Sequence, residues 1–204
     1  MTPALVLVAD LGMLGAAAID VVLAIVPALP PGSVRVVERD KSGTPDGLRL
    51  ARLERLRAAC SAARMPFVVG ARADLARAVG ADGVQLPEDG LPPEVVRRAF
   101  PELAIGRSCH DRAGLERAAV AGADWALLAP LRAPHSKAAT APPLGLEGFR
   151  AAVAGLALPT YALGGVVPAD LAPIRAAGGA GLATIGGVFG QLDPVAAARA
   201  FLGP

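Results

Sequence analysis

Eight short runs of apolar and β-branched residues recur at roughly twenty- to thirty-residue intervals along the chain, and most lead into a helical pattern. They occupy residues 4–10, 34–40, 66–71, 83–87, 103–108, 125–130, 160–165 and 182–187. Strands alternating with helices imply βα units on a parallel sheet. Eight such units in 204 residues fit a closed (β/α)8 TIM barrel better than a doubly wound open sheet. The length suits a single domain, residues 1–204, with a substantial core. One Trp, one Tyr and five Phe against 53% apolar content mean that Ala, Val, Leu and Ile build that core, so helices and strands must pack closely.

The helices carry their own signals. Residues 45–64 place Leu48, Ala51, Leu53, Leu56 and Ala59 on one side with arginines opposite, as expected of an outer barrel helix. Pro92 and Pro168 suit first turns, and Asp111 and Asp193 suit N-caps. VGADG (79–83), VAGADW (120–125) and RAAGGAG (175–181) read as helix ends turning into the next strand. Residues 134–143, rich in Pro and Ala, read as a long loop after the sixth strand. The apolar segment 19–29 exceeds what one barrel-facing stripe requires and predicts a homodimer built on an apolar helical face, with thicker internal packing as the alternative.

Several classes of function are excluded by charge and spacing. The net charge is +2, and the basic residues are scattered without interleaved aromatics, so no nucleic-acid partner is expected. The apolar N-terminal segment holds Asp10 and Asp20 and has no Lys or Arg before Arg35, which argues against a signal peptide or a membrane span and for a cytoplasmic protein. Cys60 and Cys109 lack metal-ligand spacing and read as reduced thiols; no metal is expected.

Two Gly-Gly pairs, Gly164/Gly165 and Gly186/Gly187, close the seventh and eighth runs. In a (β/α)8 barrel the loops after those strands frequently make a phosphate site, and bare backbone lets phosphate oxygens reach amides that a Cβ would shield. The two lysines, Lys41 and Lys137, follow the second and sixth strands, with Arg39 beside the first, so cations share that face. Asp10 and Asp40 are expected to pair with Arg39 or Lys41. Arg107 and Ser108 are placed to hold a carboxylate or phosphate oxygen, although Arg107 also suits a barrel-interior ion pair with Glu38. The acid/base candidates are His110, after strand five, and His135, in the loop beside Ser136 and Lys137. Cys109 reads as a plain small residue.

The segments ERDK (38–41), ADGVQLP (81–87), IGRSCH (105–110), PPLGLEGF (142–149), ALGGV (162–166) and TIGGVF (184–189), in that order, resemble the thiamine phosphate synthase and TenI superfamily. The resemblance implies a barrel that binds a thiazole phosphate, with its phosphate on Gly164, Gly165, Gly186 and Gly187. In the synthase branch it also implies a pyrimidine diphosphate and Mg²⁺, held by a Gln-x-Arg-x-Lys, an Asn-Asp, an acidic residue and a Thr-x-Thr-Lys after strands two, three, four and six. This chain keeps Arg39, Lys41, Ser136 and Lys137 of those sets but carries Val37, Gly70-Ala71, Gly90 and Pro134 at the other positions. Glu88 and Asp89 directly precede the acidic position and are the residues that a shift would bring to serve it. The departures favour the TenI branch, a thiazole tautomerase acting by metal-independent proton transfer without a cofactor. That branch uses a His after strand six, where Pro130 stands here, which leaves His110 and His135 for the role. The alternatives are a Mg²⁺-dependent thiamine phosphate synthase and a non-catalytic binder of phosphate ligands.

Overall fold

A computed structural model describes residues 3–15, 17–133 and 142–203. Strands β1 (Leu5–Asp10), β2 (Val34–Arg39), β3 (Phe67–Gly70), β4 (Gly83–Leu86), β5 (Ala104–Cys109), β6 (Trp125–Leu128), β7 (Thr160–Leu163) and β8 (Gly181–Thr184) pair in parallel with their sequence neighbours. β8 pairs in turn with β1, which closes the barrel. The helices among the described residues are α1 (Leu11–Leu14), α2 (Ala17–Ile25), α3 (Asp46–Ala62), α4 (Ala73–Ala78), α5 (Pro93–Ala99), α6 (Arg112–Val120), α7 (Gly145–Val153), α8 (Leu171–Ala176), α9 (Gly186–Phe189) and α10 (Pro194–Leu202). This is the (β/α)8 fold that the repeating pattern predicts. Several apolar runs extend past their strands, because apolarity continues into the barrel mouth after the hydrogen-bond ladder has stopped.

The strands are apolar on both faces because both faces are covered. Val6, Val8, Val37, Val68, Trp125, Leu127, Tyr161 and Ala183 fill the barrel interior. Leu5, Leu7, Val34, Val36, Phe67, Val69, Val84 and Leu86 face the helices in a second, larger core. Asp111 caps α6 by accepting from the Gly114 amide at 2.7 Å, and Asp193 caps α10 by accepting from Ala196 at 2.9 Å.

In α3 the buried seam is Arg49, Leu53, Leu56 and Cys60, while Leu48 is exposed. This corrects the expected stripe over Leu48, Ala51 and Ala59 with every arginine outside. Arg49 is drawn inward by Glu38, which points from β2 toward α3 and is wholly buried. Its Nε donates to Oε1 at 3.0 Å and its Nη2 to Oε2 at 2.8 Å, with a further bond from Nη2 to the Gly70 carbonyl at 2.9 Å. Burial pushes the Glu38 carboxyl above its ordinary range, and Arg49 opposes that rise. Glu38 is therefore not the partner of Arg107.

The segment 19–29 is also absorbed internally. Ile19, Val22, Ile25, Val26 and Leu29 are buried, and Val21 and Leu23 pack against them. The exposed apolar helical face on which the homodimer expectation rests is not there, because these side chains complete the outer core. Among the described residues no helix is long and apolar enough to cross a membrane.

Helices α4, α6 and α8 end alike, each with a left-handed glycine (Gly80, Gly122, Gly178) followed by an amide that reaches back five residues. α3 repeats the motif with Arg64 at φ +55° and Met65 N–H donating to Cys60 O at 2.8 Å. A Cβ is disfavoured in that conformation, so Arg64→Gly is expected to stabilise the protein by roughly 1 kcal/mol, seen as a rise in thermal midpoint of about 2–4 °C. Glu38→Gln, which leaves the Arg49 guanidinium buried without its counter-ion, is expected to cost about 3–5 kcal/mol in urea denaturation. Adding Arg49→Met should recover most of that loss.

Candidate active site

The residues singled out at strand ends converge on the C-terminal mouth of the barrel, where side chains tie neighbouring strands together. Asp10, the last residue of β1, caps α1 by accepting from Gly12 and Met13 amides at 3.1 and 3.2 Å, and it pairs with Arg39 at the end of β2. Arg39 stays about one-third exposed, and its only side-chain partner among the described residues is Asp10. Lys41 follows in the β2–α3 loop, exposed, and among the described residues no carboxylate pairs with it. Among the described residues Asp40 pairs with neither Arg39 nor Lys41: its Oδ1 accepts from the Ser42 amide at 2.8 Å, and its buried Oδ2 lies 3.9 Å from Arg52 on α3.

On β5, Arg107 points outward and clamps the loop after β4, donating to the carbonyls of Leu91 at 2.7 Å and Glu88 at 2.6 Å. Its guanidinium is thus engaged in holding a loop. Ser108 points inward and accepts from Gln85 Nε2 at 3.2 Å. His110 shares Nδ1 with the Ala129 carbonyl at 2.7 Å, joining β5 to the end of β6, and its Nε2 lies 3.6 Å from Glu88 Oε2. Donation from Nδ1–H to that carbonyl leaves Nε2 as the nitrogen available for proton exchange, on a half-exposed ring. Cys109 is buried, and burial pushes its thiol up to about 12, which keeps it protonated and unreactive.

The glycine pairs sit side by side after β7 and β8, two strands paired through Leu163 and Ala183. Gly164 and Gly165 have φ of +96° and +63°, and a Cβ there would stand 3.1 Å from Pro130 Cα and 2.8 Å from Arg132 Cβ. Both are thus required by the chain itself, since the β6–α7 loop lies across them. That loop is held by Arg132, which donates to Gly165 O at 3.1 Å and forks onto Asp170. A Cβ on Gly187 would press on Thr184 Oγ1 at 2.6 Å, whereas a Cβ on Gly186 would meet no described atom within 4 Å beyond its own helix backbone. Among the described residues, no acceptor takes the amides of any of these four glycines. His135, Ser136 and Lys137 lie outside the described residues.

Several participants carry no local signature. Gln85 and Trp125 make an interior contact through Trp125 Nε1 and Gln85 Oε1 at 2.9 Å, and the Glu38–Arg49 and Arg132–Asp170 pairs join residues far apart in sequence. The only hint was the single Trp, placed on an inward position of a strand.

The described side chains do not fit the Mg²⁺ that a synthase implies. That ion needs hard oxygen ligands in near-octahedral array. A Cβ on Gly70 would stand 2.7 Å from the Glu38 carbonyl oxygen, so no side chain enters at the end of β3, and Ala71 offers only a methyl. Glu38 is committed to Arg49 and Asp10 to Arg39. Among the described residues no three His, Cys, Asp or Glu side chains gather closely enough to hold a metal ion.

A profile of the thiamine monophosphate synthase family matches residues 5–188. A putative thiamine-phosphate synthase of Geobacter sulfurreducens is 37% identical over 183 residues, 88% of this chain and 85% of the relative. The thiamine-phosphate synthase of Methanoregula boonei is 38% identical over 170 residues, 82% of this chain and 78% of the relative. Among solved structures, the thiamine phosphate pyrophosphorylase from Pyrococcus furiosus superposes with a TM-score of 0.83 at 28% identity, covering 97% of this chain and 92% of that one. These relatives bear synthase names and lend no support to the TenI branch over the synthase branch. With 184 of its residues in the matched span, the chain belongs to the thiamine monophosphate synthase family.

Proposed function

We propose that the chain is a thiamine-phosphate synthase of the transferase class, working as a single-domain barrel that joins a thiazole phosphate to a hydroxymethylpyrimidine diphosphate and releases diphosphate. The family match and the synthase relatives support the transferase over the isomerase. The observation that carries the ligand assignment is Gly186. Nothing in the described chain forbids a side chain there, yet it stands beside three glycines that the fold does require, in a patch of amides without protein acceptors. A ligand anion accounts for the bare position.

On this reading the amides of Gly164, Gly165, Gly186 and Gly187 bind the thiazole phosphate as a preorganised oxyanion cradle. Lys41 and the free donors of Arg39 face the diphosphate, with Lys137 and Ser136 assigned to the same end by the resemblance. Their charge opposes what accumulates as diphosphate departs. Ser108 donates from the barrel floor. No step is routed through Mg²⁺, for which the described side chains provide no ligand set.

The bare end of β3 favours a second reading, a TenI-type isomerisation, which needs neither diphosphate nor metal and would use Nε2 of His110 or the imidazole of His135 as the acid/base. The two separate in one assay. Incubation with both synthase substrates is expected to release inorganic diphosphate in the wild-type protein. No diphosphate release, together with isomerisation of a thiazole carboxylate phosphate that is lost in His110→Gln, would replace the transferase with the isomerase; ligand binding with neither reaction would leave a binder.

Gly186→Val tests the cradle directly. It should leave the thermal unfolding midpoint little changed, because a Cβ there would have no described atom within 4 Å beyond its own helix backbone. Thiazole phosphate binding by calorimetry should weaken at least about tenfold, through loss of one or more charge-assisted hydrogen bonds. Unchanged affinity would remove the phosphate from this site.

A further inference from the structure

The barrel interior holds a short polar column whose donor and acceptor assignments follow from chemistry alone. At its base Arg35 stacks on the single tryptophan, its Cζ 3.9 Å from the Trp125 ring centroid. The indole Nε1–H can only donate, so the Gln85 atom at 2.9 Å must be the amide oxygen, which fixes the orientation of that amide. The amide nitrogen then faces Ser108, and because it too can only donate, Ser108 Oγ must accept at 3.2 Å. Gly106 leaves room for this arrangement: a Cβ there would overlap both Gln85 Oε1 and the indole. Gln85 and Trp125 are buried, whereas Ser108 is half-buried and makes no second hydrogen bond among the described residues.

We propose that Gln85, anchored by Trp125, is a positioning residue that commits the Ser108 hydroxyl to donate its proton toward an oxyanion in the barrel mouth. A free serine hydroxyl accepts or donates with equal ease and so discriminates little. One whose lone pair already receives an amide N–H presents its O–H outward and selects ligands that offer an unprotonated oxygen there. The proposal rests on the reading that a phosphorylated ligand occupies the mouth, and it specifies what the floor of that mouth recognises.

The test uses the full ¹⁵N-labelled chain, in which the indole of Trp125 gives the only tryptophan side-chain N–H signal, with inorganic diphosphate and thiazole phosphate as probes. In Gln85→Glu the carboxylate accepts from both Trp125 and Ser108, which turns the hydroxyl proton inward. For whichever probe depends on Ser108, Ser108→Ala is expected to weaken binding about tenfold, and Gln85→Glu by at least as much. In the Ser108→Ala background the added Gln85→Glu should cost less than about threefold. The new charge acts equally in both backgrounds and cancels in the cycle, so the difference isolates the relay. The indole signal should move when the probe saturates the wild-type protein and stay still in Ser108→Ala.

Equal costs in the two backgrounds would overturn the proposal, as would an indole signal that does not respond to Gln85→Glu. If Gln85→Glu does not fold, Trp125→Phe frees the amide to turn over. It should then weaken probe binding about threefold with Ser108 present and not at all with Ala at 108; equal effects overturn the relay. A wild-type protein that binds neither probe would also overturn it, by removing the oxyanion it requires. One that binds diphosphate through Ser108 without ever releasing it from the pyrimidine substrate would defeat the synthase reading and leave the relay standing.

Discussion

The bidentate pair between Glu38 and Arg49 sets the geometry on which the mouth depends. It is buried between β2 and α3, and the same guanidinium reaches the Gly70 carbonyl at the end of β3, so one side chain fastens a helix to two strand ends. A pair removed from water gains little net stability over an apolar substitute of the same shape, because desolvation offsets most of the attraction. What it supplies is direction. A fork of fixed planar geometry holds the ends of β2 and β3 in one register, where an apolar contact would tolerate sliding.

The same device recurs around the rim. Asp10 with Arg39 joins β1 to β2, Arg107 holds the loop after β4 against β5, His110 links β5 to the end of β6, and Arg132 fixes the loop after β6 to the turn that follows β7. Arginine, not lysine, takes these positions at Arg39, Arg49, Arg107 and Arg132. Clamping strand ends requires donors in a rigid array, whereas a lysine ammonium at the end of a flexible stem fixes no angle. Lys41 is exposed and, among the described residues, clamps nothing, which sets it apart as a charge left to solvent.

The fold was legible because its signal is local and repeated: each strand is an apolar run, and each of the helix ends at Gly80, Gly122 and Gly178 uses the same left-handed closure. Positions in the candidate site were legible only where the fold dictates them, as for the glycine pairs and the cations after β2. Arg49 was misread because helical periodicity sorts residues by polarity and has no knowledge of a carboxylate approaching from β2. Gln85 and Trp125 were missed for a related reason. They are forty residues apart, and their contact exists only because barrel closure turns alternate residues of β4 and β6 toward a common axis.

The glycines show why a bare position needs its neighbours before it is assigned a function. Gly164 and Gly165 adopt left-handed backbone beneath the β6–α7 loop, and Gly187 packs on Thr184 and Phe201, so each would be required even with no ligand. Only Gly186 is free of such demands, and only there does a missing side chain point outside the protein. The three constrained glycines hold their amides in place as a consequence of packing. The fourth leaves the space above those amides open, so a rigid scaffold and exposed amides arise from glycines present for opposite reasons.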